Sequence, residues 1–256
     1  MKMTETVKQL LIINIIFYIG SNIVGDVAYQ LLSEYYPANP NFRFWQPLTG
    51  MFMHAPVYGQ GSSAGIMHIV FNMFALVSFG SALEHYWGAK KFIFFYISCG
   101  LGAALLHTAF SYYQFNLGVE YLTATGHQDQ LAEILKTGNL NFSVPPPDIE
   151  VLQNMFSAYN SPSLGASGAI YGLLTAFAFM FPMAELGIMF IPIPIKAKYF
   201  VPGIIAVDLF LGFKGSSLFG AGGTGIAHFA HVGGALTGFI MMWYWKKNQF
   251  NKNRWN

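Results

Sequence analysis

Charged residues and cysteine are both scarce in this sequence. Only 9% of its 256 residues are Asp, Glu, Lys or Arg, whereas these types make up roughly a quarter of an ordinary soluble domain. The single cysteine, Cys99, excludes an intramolecular disulfide framework and a cysteine-ligated metal site. The formal net charge of +2 gives no indication of a nucleic-acid partner.

Apolar residues take the place of the charged ones. Hydrophobic residues make up 54% and aromatic residues 17% of the chain. They are concentrated in runs of about 15 to 23 residues, close to the length that crosses a bilayer core. The first run lacks the small-residue cleavage site of a signal peptide, so it is interpreted as a retained span. The sequence predicts an all-α polytopic membrane protein with six spans, at about 9–31, 66–86, 92–112, 167–184, 199–213 and 226–245.

The positions of the basic residues orient these spans. Of the 13 Lys and Arg residues, all but Arg43, Lys136 and Lys214 fall on the side of the membrane that holds both termini. Basic loops are retained in the cytoplasm. Both termini are therefore predicted to be cytoplasmic.

The chain is predicted to form a single membrane domain over residues 1–256, with two outer loops at 32–65 and 113–162. Apolar residues at helical spacing predict two short amphipathic helices in the second loop. One carries Leu131, Ile134 and Leu135, and the other carries Leu152, Met155, Phe156 and Tyr159.

Two further segments are expected to be irregular. The closely spaced Pro192 and Pro194 exclude a helix through 185–198, which is expected to follow the cytoplasmic interface. The glycine-rich segment 214–225 is expected to form a flexible outer loop that can cover a site.

A serine among small residues opens the fourth span. Ser167 follows Gly165 and Ala166 and precedes Gly168. Such small neighbours can expose a serine hydroxyl together with backbone N–H groups, as a nucleophile with its own oxyanion donors requires. Small residues at helical spacing also let membrane helices pack closely, and the motif alone favours that simpler role.

Polar residues of two other spans lie at the depth of Ser167. With both termini on one side, spans two, four and six all begin at the outer face. His68, Asn72 and His231 lie near the outer ends of their spans, a coincidence that close packing does not require. Because histidine can accept a hydroxyl proton at neutral pH, Ser167 and His231 are predicted to be nucleophile and general base.

His68 and Asn72 are predicted to stabilise the transition state. They are four residues apart and share one helix face. Their side chains could donate hydrogen bonds to a developing oxyanion, together with the backbone N–H of Ser167.

Other residues of spans four and six are predicted to support this pair. Tyr171, one turn after Ser167, is expected to pack its ring against His231. Gly234 and Gly238 remove side-chain bulk from span six, so its backbone can approach span four.

Asp208 and His228 leave alternatives open. Asp208 in span five could orient a histidine, although a bond to a neighbouring helix is favoured. His228 lies three residues before His231 on the same helix face, which raises the alternative of a metal site. No cysteine joins these histidines and the carboxylates are expected elsewhere, so zinc ranks below serine–histidine catalysis, and no metal or cofactor is predicted. A transporter lined by His54, His68, His228 and His231 is a further alternative.

These motifs resemble the rhomboid intramembrane serine proteases, and the similarity extends from Trp45 through Gly238. The motifs follow the family's order along the chain. They are His68-x-x-x-Asn72 on the oxyanion side, Gly80-x-x-x-Glu84-x-x-x-Gly88 with Lys90 and Lys91 at the junction of helices two and three, Gly165-Ala166-Ser167-Gly168 around the nucleophile, and Ala230-His231-x-x-Gly234-x-x-x-Gly238 around the catalytic histidine.

The resemblance implies a six-helix rhomboid-like bundle in which Ser167 and His231 act as a dyad, so Asp208 need not be a third member. It implies a water-accessible site sunk below the outer face. It also implies substrates that are membrane segments, cleaved near their outer ends and commonly after a small residue. The fifth helix, 199–213, and the loop after it are expected to admit the substrate.

Two features depart from the family's pattern. The first outer connection carries extra residues between His54 and His68, and the loop 113–162 is long. A catalytically inactive relative that binds membrane clients is the competing hypothesis, but the chain keeps both the serine and the histidine. The expected partners are transmembrane protein substrates and membrane lipids, and the expected location is a bacterial inner membrane.

Overall fold

Helices make up most of the structure, as the long apolar runs predict. The computed structural model describes residues 2–57, 62–188, 191–214 and 226–252. Its helices and strands are α1 (Glu5–Val24), α2 (Asp26–Leu32), α3 (Gln46–Thr49), α4 (Ser62–Ala75), α5 (Ser81–Trp87), α6 (Ala89–Ala124), α7 (Leu131–Thr137), α8 (Pro146–Asn160), α9 (Ser167–Met180), β1 (Glu185–Ile188), β2 (Ile191–Lys196), α10 (Ala197–Lys214) and α11 (Ile226–Lys252). A π-helical turn, Leu76–Gly80, joins α4 to α5.

Each predicted span overlaps a helix, although the bounds differ. Three of these are long and apolar enough to cross a membrane by length and composition: Glu5–Val24, Gly65–Trp87 and Ala89–Ala124. A helix of 20 residues rises about 30 Å, which matches the hydrocarbon core. The predicted all-α polytopic membrane fold is confirmed, whereas the cytoplasmic position of the termini stays a prediction.

The first span is shorter than predicted. α1 ends at Val24 because Gly25 has a φ of 78°, and the chain turns into the separate helix α2. The start of α1 is held by Glu84, whose carboxylate accepts hydrogen bonds from the backbone N–H groups of Thr6 at 3.1 Å and Val7 at 3.0 Å. The first N–H groups of a helix have no intrahelical acceptor, so this contact fixes α1 against α5.

α9 packs closely against α11 through paired glycines. A Cβ at Gly234 would lie 1.8 Å from the carbonyl oxygen of Gly168, and one at Gly238 would lie 2.9 Å from the Cα of Gly172. α6 lies on another side of α9, where a Cβ at Gly168 would lie 2.4 Å from the Cβ of Ala103. The predicted close approach of spans four and six is confirmed.

The segment predicted as the outer loop 113–162 begins with helix instead. α6 continues to Ala124, because α8 packs on this extension and a Cβ at Gly118 would lie 2.5 Å from the Cβ of Met155. The two short helices expected here are present as α7 and α8. They build a small core of their own with the end of α6, formed by Leu122, Ile134, Leu152 and Met155.

A β-hairpin follows α9 where the sequence excluded a helix. β1 and β2 pair antiparallel, with the register Glu185↔Lys196, Leu186↔Ile195 and Ile188↔Ile191. In a two-stranded sheet, each strand has one edge whose N–H groups form no ladder hydrogen bonds. The nitrogens of prolines two residues apart can both lie on that edge, so no ladder hydrogen bond is lost. The strands were not predicted, because alternating Ile and Pro is a weak strand signal.

Two predictions concern residues that the structure does not describe. The predicted glycine-rich loop 214–225 lies outside the described residues, apart from Lys214 at the end of α10. The same holds for residues 58–61, within the extra stretch between His54 and His68. α10 itself covers the predicted fifth span.

Candidate active site

Ser167 is the first residue of α9 and follows a turn that requires glycine. Gly165 has a φ of 130°, and a Cβ there would lie 3.1 Å from Nε2 of His68 and 3.5 Å from Oγ of Ser167. The N–H of Gly165 donates to the carbonyl of Gly50 at 2.9 Å, which ties the turn to the first outer connection. The N–H of Ser167 has no intrahelical acceptor, because it belongs to the first turn of α9.

Ser167 and His231 are hydrogen bonded across the contact between α9 and α11. The Oγ of Ser167 lies 2.9 Å from Nε2 of His231. The ring of Tyr171 stacks on the imidazole, with centroids 4.4 Å apart and planes 7° apart, as the sequence predicts. The stacking holds the imidazole in the plane from which Nε2 reaches the serine hydroxyl.

Asp208 extends this contact into a chain of polar groups. Its Oδ1 lies 3.2 Å from Nδ1 of His231 and also binds Nδ1 of His228, while Oδ2 accepts a hydrogen bond from the hydroxyl of Tyr171. A carboxylate at Nδ1 keeps the proton there and leaves Nε2 as an acceptor for the hydroxyl of Ser167. The favoured interpretation, a simple bond to a neighbouring helix, therefore misses the contact with His231.

The Ser167–His231 pair faces a cavity of about 400 Å³. Ser167 and His231 line it together with His68 and His228. The remaining wall is largely apolar or small, but it also carries polar side chains that the sequence pattern did not indicate: Glu34, His107, Ser111, Ser157, Ser161 and Ser163.

His68 lies beside the serine with a defined tautomer. Its Nδ1 accepts a hydrogen bond from the backbone N–H of Ala55 at 3.3 Å. A neutral imidazole that accepts at Nδ1 carries its proton on Nε2, the atom near Gly165. Asn72 instead donates to the carbonyl of His68 at 2.8 Å and is not among the described residues that line the cavity. His68 can therefore donate into the site, while the amide of Asn72 is engaged within its own helix.

The expectation that no carboxylate lies near the histidines is wrong, because helix packing brings Asp208 to both, and Asp208, His228 and His231 could hold a metal ion. Each offers one ligand atom, and these atoms lie within 4.8 Å of one another. Two histidines and a carboxylate are ligands that zinc accepts. In the structure the same groups bind each other, and Nε2 of His231 is engaged by Ser167. The preference for serine–histidine catalysis over a metal site stays a prediction.

Glu34 is the acidic residue of the cavity wall. It lies between α2 and α3 and is 6% exposed. Burial raises the pKa of its carboxyl from 4.5 to about 7, against a smaller opposite effect of the hydrogen bond from Thr108. A lone acid in an aromatic stretch, between Ser33 and Tyr35, is the sequence signal that could have selected it.

The fold and the site define a polytopic helical membrane protein in which a serine and a histidine in contact line one cavity, with an aspartate bound to the histidine behind them. The chain belongs to the Rhomboid family. The family's Rhomboid domain matches residues 41–122 and 149–248, which confirms the resemblance carried by the motifs. The unmatched stretch between the two parts contains α7.

Named relatives come from fungi, animals and plants. The chain is 27% identical to "Rhomboid protein 1, mitochondrial" of Saccharomyces cerevisiae over 70% of its own length and 38% of that protein. It is 27% identical to "Presenilin-associated rhomboid-like protein A, mitochondrial" of Danio rerio, over 72% and 34%. It is 25% identical to "RHOMBOID-like protein 12, mitochondrial" of Arabidopsis thaliana, over 77% and 48%.

Two facts follow from these relatives. The chain spans between about a third and a half of their lengths. All three are named as mitochondrial, which contradicts the predicted bacterial inner membrane. That prediction is wrong; it rested on the layout of the spans, which is compatible with more than one membrane.

Proposed function

We propose that the protein is an intramembrane serine endopeptidase that cleaves transmembrane segments of other membrane proteins. The observation that carries the proposal is the 2.9 Å contact between Oγ of Ser167 and Nε2 of His231 inside a shared cavity. Membership of the Rhomboid family supports the same chemistry.

In the proposed reaction, Oγ of Ser167 attacks the carbonyl carbon of the scissile peptide while Nε2 of His231 takes its proton. The carbonyl oxygen becomes an oxyanion, for which the N–H of Ser167 and the Nε2–H of His68 are the available donors. When the carbon–nitrogen bond breaks, His231 returns the proton to the leaving amine. Water then attacks the acyl-enzyme, with His231 as base again, and restores the serine hydroxyl.

Asp208 acts as a positioning residue for His231 in this mechanism. Its carboxylate, 3.2 Å from Nδ1, fixes the tautomer and stabilises the imidazolium that forms when Nε2 is protonated. Tyr171 supports both groups, because its ring stacks on His231 and its hydroxyl binds Asp208. We therefore extend the expected dyad to a serine–histidine–aspartate set.

The setting of the reaction follows from the membrane fold. We propose transmembrane protein substrates and a cavity that opens toward the side of the membrane opposite both termini, in keeping with the basic residues near the termini. The names of the relatives favour a mitochondrial membrane as the location.

Labelling with a fluorophosphonate probe tests the proposal without a known substrate. The purified protein should react at Ser167, and Ser167→Ala should abolish labelling because the attacking oxygen is gone. His231→Ala should reduce labelling by at least a hundredfold, since the general base contributes about that much. His85→Ala, an exposed histidine outside the cavity, is the matched control and should label normally.

Cleavage of a model single-span substrate completes the test. Both Ser167→Ala and His231→Ala should stop cleavage. Cleavage that persists in both variants would refute the proposed serine–histidine mechanism. A folded protein that neither cleaves the substrate nor reacts with the probe would instead favour an inactive client-binding protein.

A further inference from the structure

One wall of the cavity is a single face of α6 that leads away from the serine. Gly100, Ala103, His107 and Ser111 all line the cavity, and their spacing places them along one side of the helix. Ala103 marks the level of the nucleophile, because a Cβ at Gly168 would lie 2.4 Å from its Cβ. His107 and Ser111 therefore lie about 6 Å and 12 Å further along the helix axis.

Glu34 lines the same cavity, and its backbone is held firmly in place. Its backbone N–H donates to the carbonyl of Ser163 at 2.9 Å, and the N–H of Ser163 donates back at 2.7 Å. The same strand-like pairing leads directly into the turn before Ser167. The position of Glu34 is thus fixed relative to the nucleophile rather than left to a loose loop.

Among the described residues, the carboxylate of Glu34 has one side-chain hydrogen-bond donor and no ion pair. Its Oε1 accepts a hydrogen bond from the hydroxyl of Thr108 at 3.2 Å. No Lys or Arg among the described residues forms an ion pair with it. A buried carboxylate is costly unless a cation or several donors satisfy it. The cavity therefore presents a buried carboxylate with which a cationic ligand could form an ion pair.

Two more polar groups share this end of the cavity. Ser111 is 1% exposed, and its hydroxyl has no partner within the described part of the chain. His107 is 9% exposed, and the structure gives its imidazole no hydrogen bond to any described residue. With Glu34 these groups offer several acceptors to one donor-rich ligand. We name this set, Glu34, His107 and Ser111, the Glu34 end of the cavity.

We propose that the Glu34 end binds a basic side chain of the substrate and so selects substrates with Lys or Arg near the cleaved bond. A distance of 6 to 12 Å from the level of the nucleophile corresponds to about two to four residues of extended peptide. A lysine or arginine there supplies both the missing positive charge and several N–H donors. This inference rests on the proposed protease function.

A positional scan with matched substrates tests the subsite. A single-span substrate with a mapped cleavage site carries Lys at each position from four before to four after the bond, with Met at the same positions for comparison. Wild-type protein should cleave one Lys substrate with a kcat/KM roughly 10- to 100-fold above its Met counterpart, the range expected for a charged hydrogen bond. Glu34→Gln should bring that ratio close to one.

Two further variants separate the subsite from general damage. Ser111→Ala should lower the Lys-to-Met ratio by a smaller factor, because one neutral acceptor is lost. Glu120→Gln removes an exposed acid outside the cavity and should keep the ratio. Because the readout is the ratio of kcat/KM for two substrates of the same enzyme, any loss of folded enzyme cancels.

The outcomes distinguish the two proposals. Active wild-type protein that shows no Lys preference at any scanned position overturns the subsite and leaves the protease proposal intact. A Lys preference that survives in Glu34→Gln overturns the subsite in the same way. Absence of both cleavage and labelling of Ser167 in the wild type overturns the protease proposal and the subsite with it.

Discussion

Replacing Gly234 by alanine tests whether the packing of α9 against α11 sets the distance between Ser167 and His231. The new Cβ would lie 1.8 Å from the carbonyl oxygen of Gly168, whereas ordinary contacts begin at 3.4 Å. Interiors are packed too densely to absorb this, so the two helices must separate locally by about 1.5 Å. A hydrogen bond of 2.9 Å would then exceed the range in which it persists.

The rate of probe labelling at Ser167 measures the consequence. Displacement by about 1 Å costs roughly a hundredfold in rate, so Gly234→Ala should label at least a hundredfold more slowly. Gly238→Ala needs a smaller shift, because its Cβ would lie 2.9 Å from Gly172, and should lose less. Gly20→Ala is the matched control: its Cβ would meet nothing within 4 Å, so it should label normally.

Thermal unfolding in detergent accompanies each variant. Alanine gains about 1 kcal/mol over glycine in a helix interior, so a fall in unfolding temperature for Gly234→Ala reports the clash and not helix propensity. Folded Gly234→Ala that labels as fast as wild type would refute the link between this glycine contact and the chemistry.

Three other perturbations follow from the site. Asp208→Asn keeps the side-chain shape and removes a charge. The attraction of that charge to an imidazolium at 3.2 Å is at most about 5 kcal/mol at an effective dielectric of 20. Labelling should therefore slow by roughly 10²- to 10³-fold, and an unchanged rate would exclude a role of Asp208 through His231. Glu34→Gln should raise the unfolding temperature more at pH 8 than at pH 5. Because the pKa of Glu34 is about 7 in the folded protein instead of 4.5, the folded protein binds more protons than the unfolded chain between these pH values. The free energy of unfolding of the wild type therefore falls as pH rises through that interval, by up to about 3 kcal/mol. Equal changes in unfolding temperature at both pH values would contradict this raised pKa. A chelator should leave labelling unchanged, whereas a loss that zinc restores would favour a metal at Asp208, His228 and His231.

Much of the candidate site could be predicted because the membrane makes polar residues informative. A histidine within an apolar span is costly unless it has a partner, which drew attention to His68 and His231. Their common depth with Ser167 followed from the order and direction of the spans. The stacking of Tyr171 followed from its position one helical turn after the serine.

The contacts of Asp208 could not be predicted in the same way. Its depth in the fifth span was known, but the sequence does not state which face of that helix meets the sixth. Rotation of α10 about its axis decides whether the carboxylate reaches His231 or another helix. Only packing in three dimensions fixes that rotation, and it brought Asp208 to two histidines and a tyrosine at once.

Glu34 and the extended α6 show the same limit in the outer segments. Apolar periodicity predicted α7 and α8, yet the continuation of α6 to Ala124 depends on α8 packing against it. Glu34 joins the cavity through an isolated backbone pairing with Ser163, over more than a hundred residues of sequence. No local pattern encodes such a contact.

The sequence by itself determined the class of protein and the polar groups available for chemistry. Apolar length set the membrane spans, Gly234 and Gly238 set where two of them could meet, and the polar residues within them set which groups the proposed reaction can use. Tertiary structure decided the partners: the third group at His231 and the polar end of the cavity. The reason is physical, because burial and spacing are local properties of a chain, whereas hydrogen bonds between distant helices depend on how those helices rotate and pack.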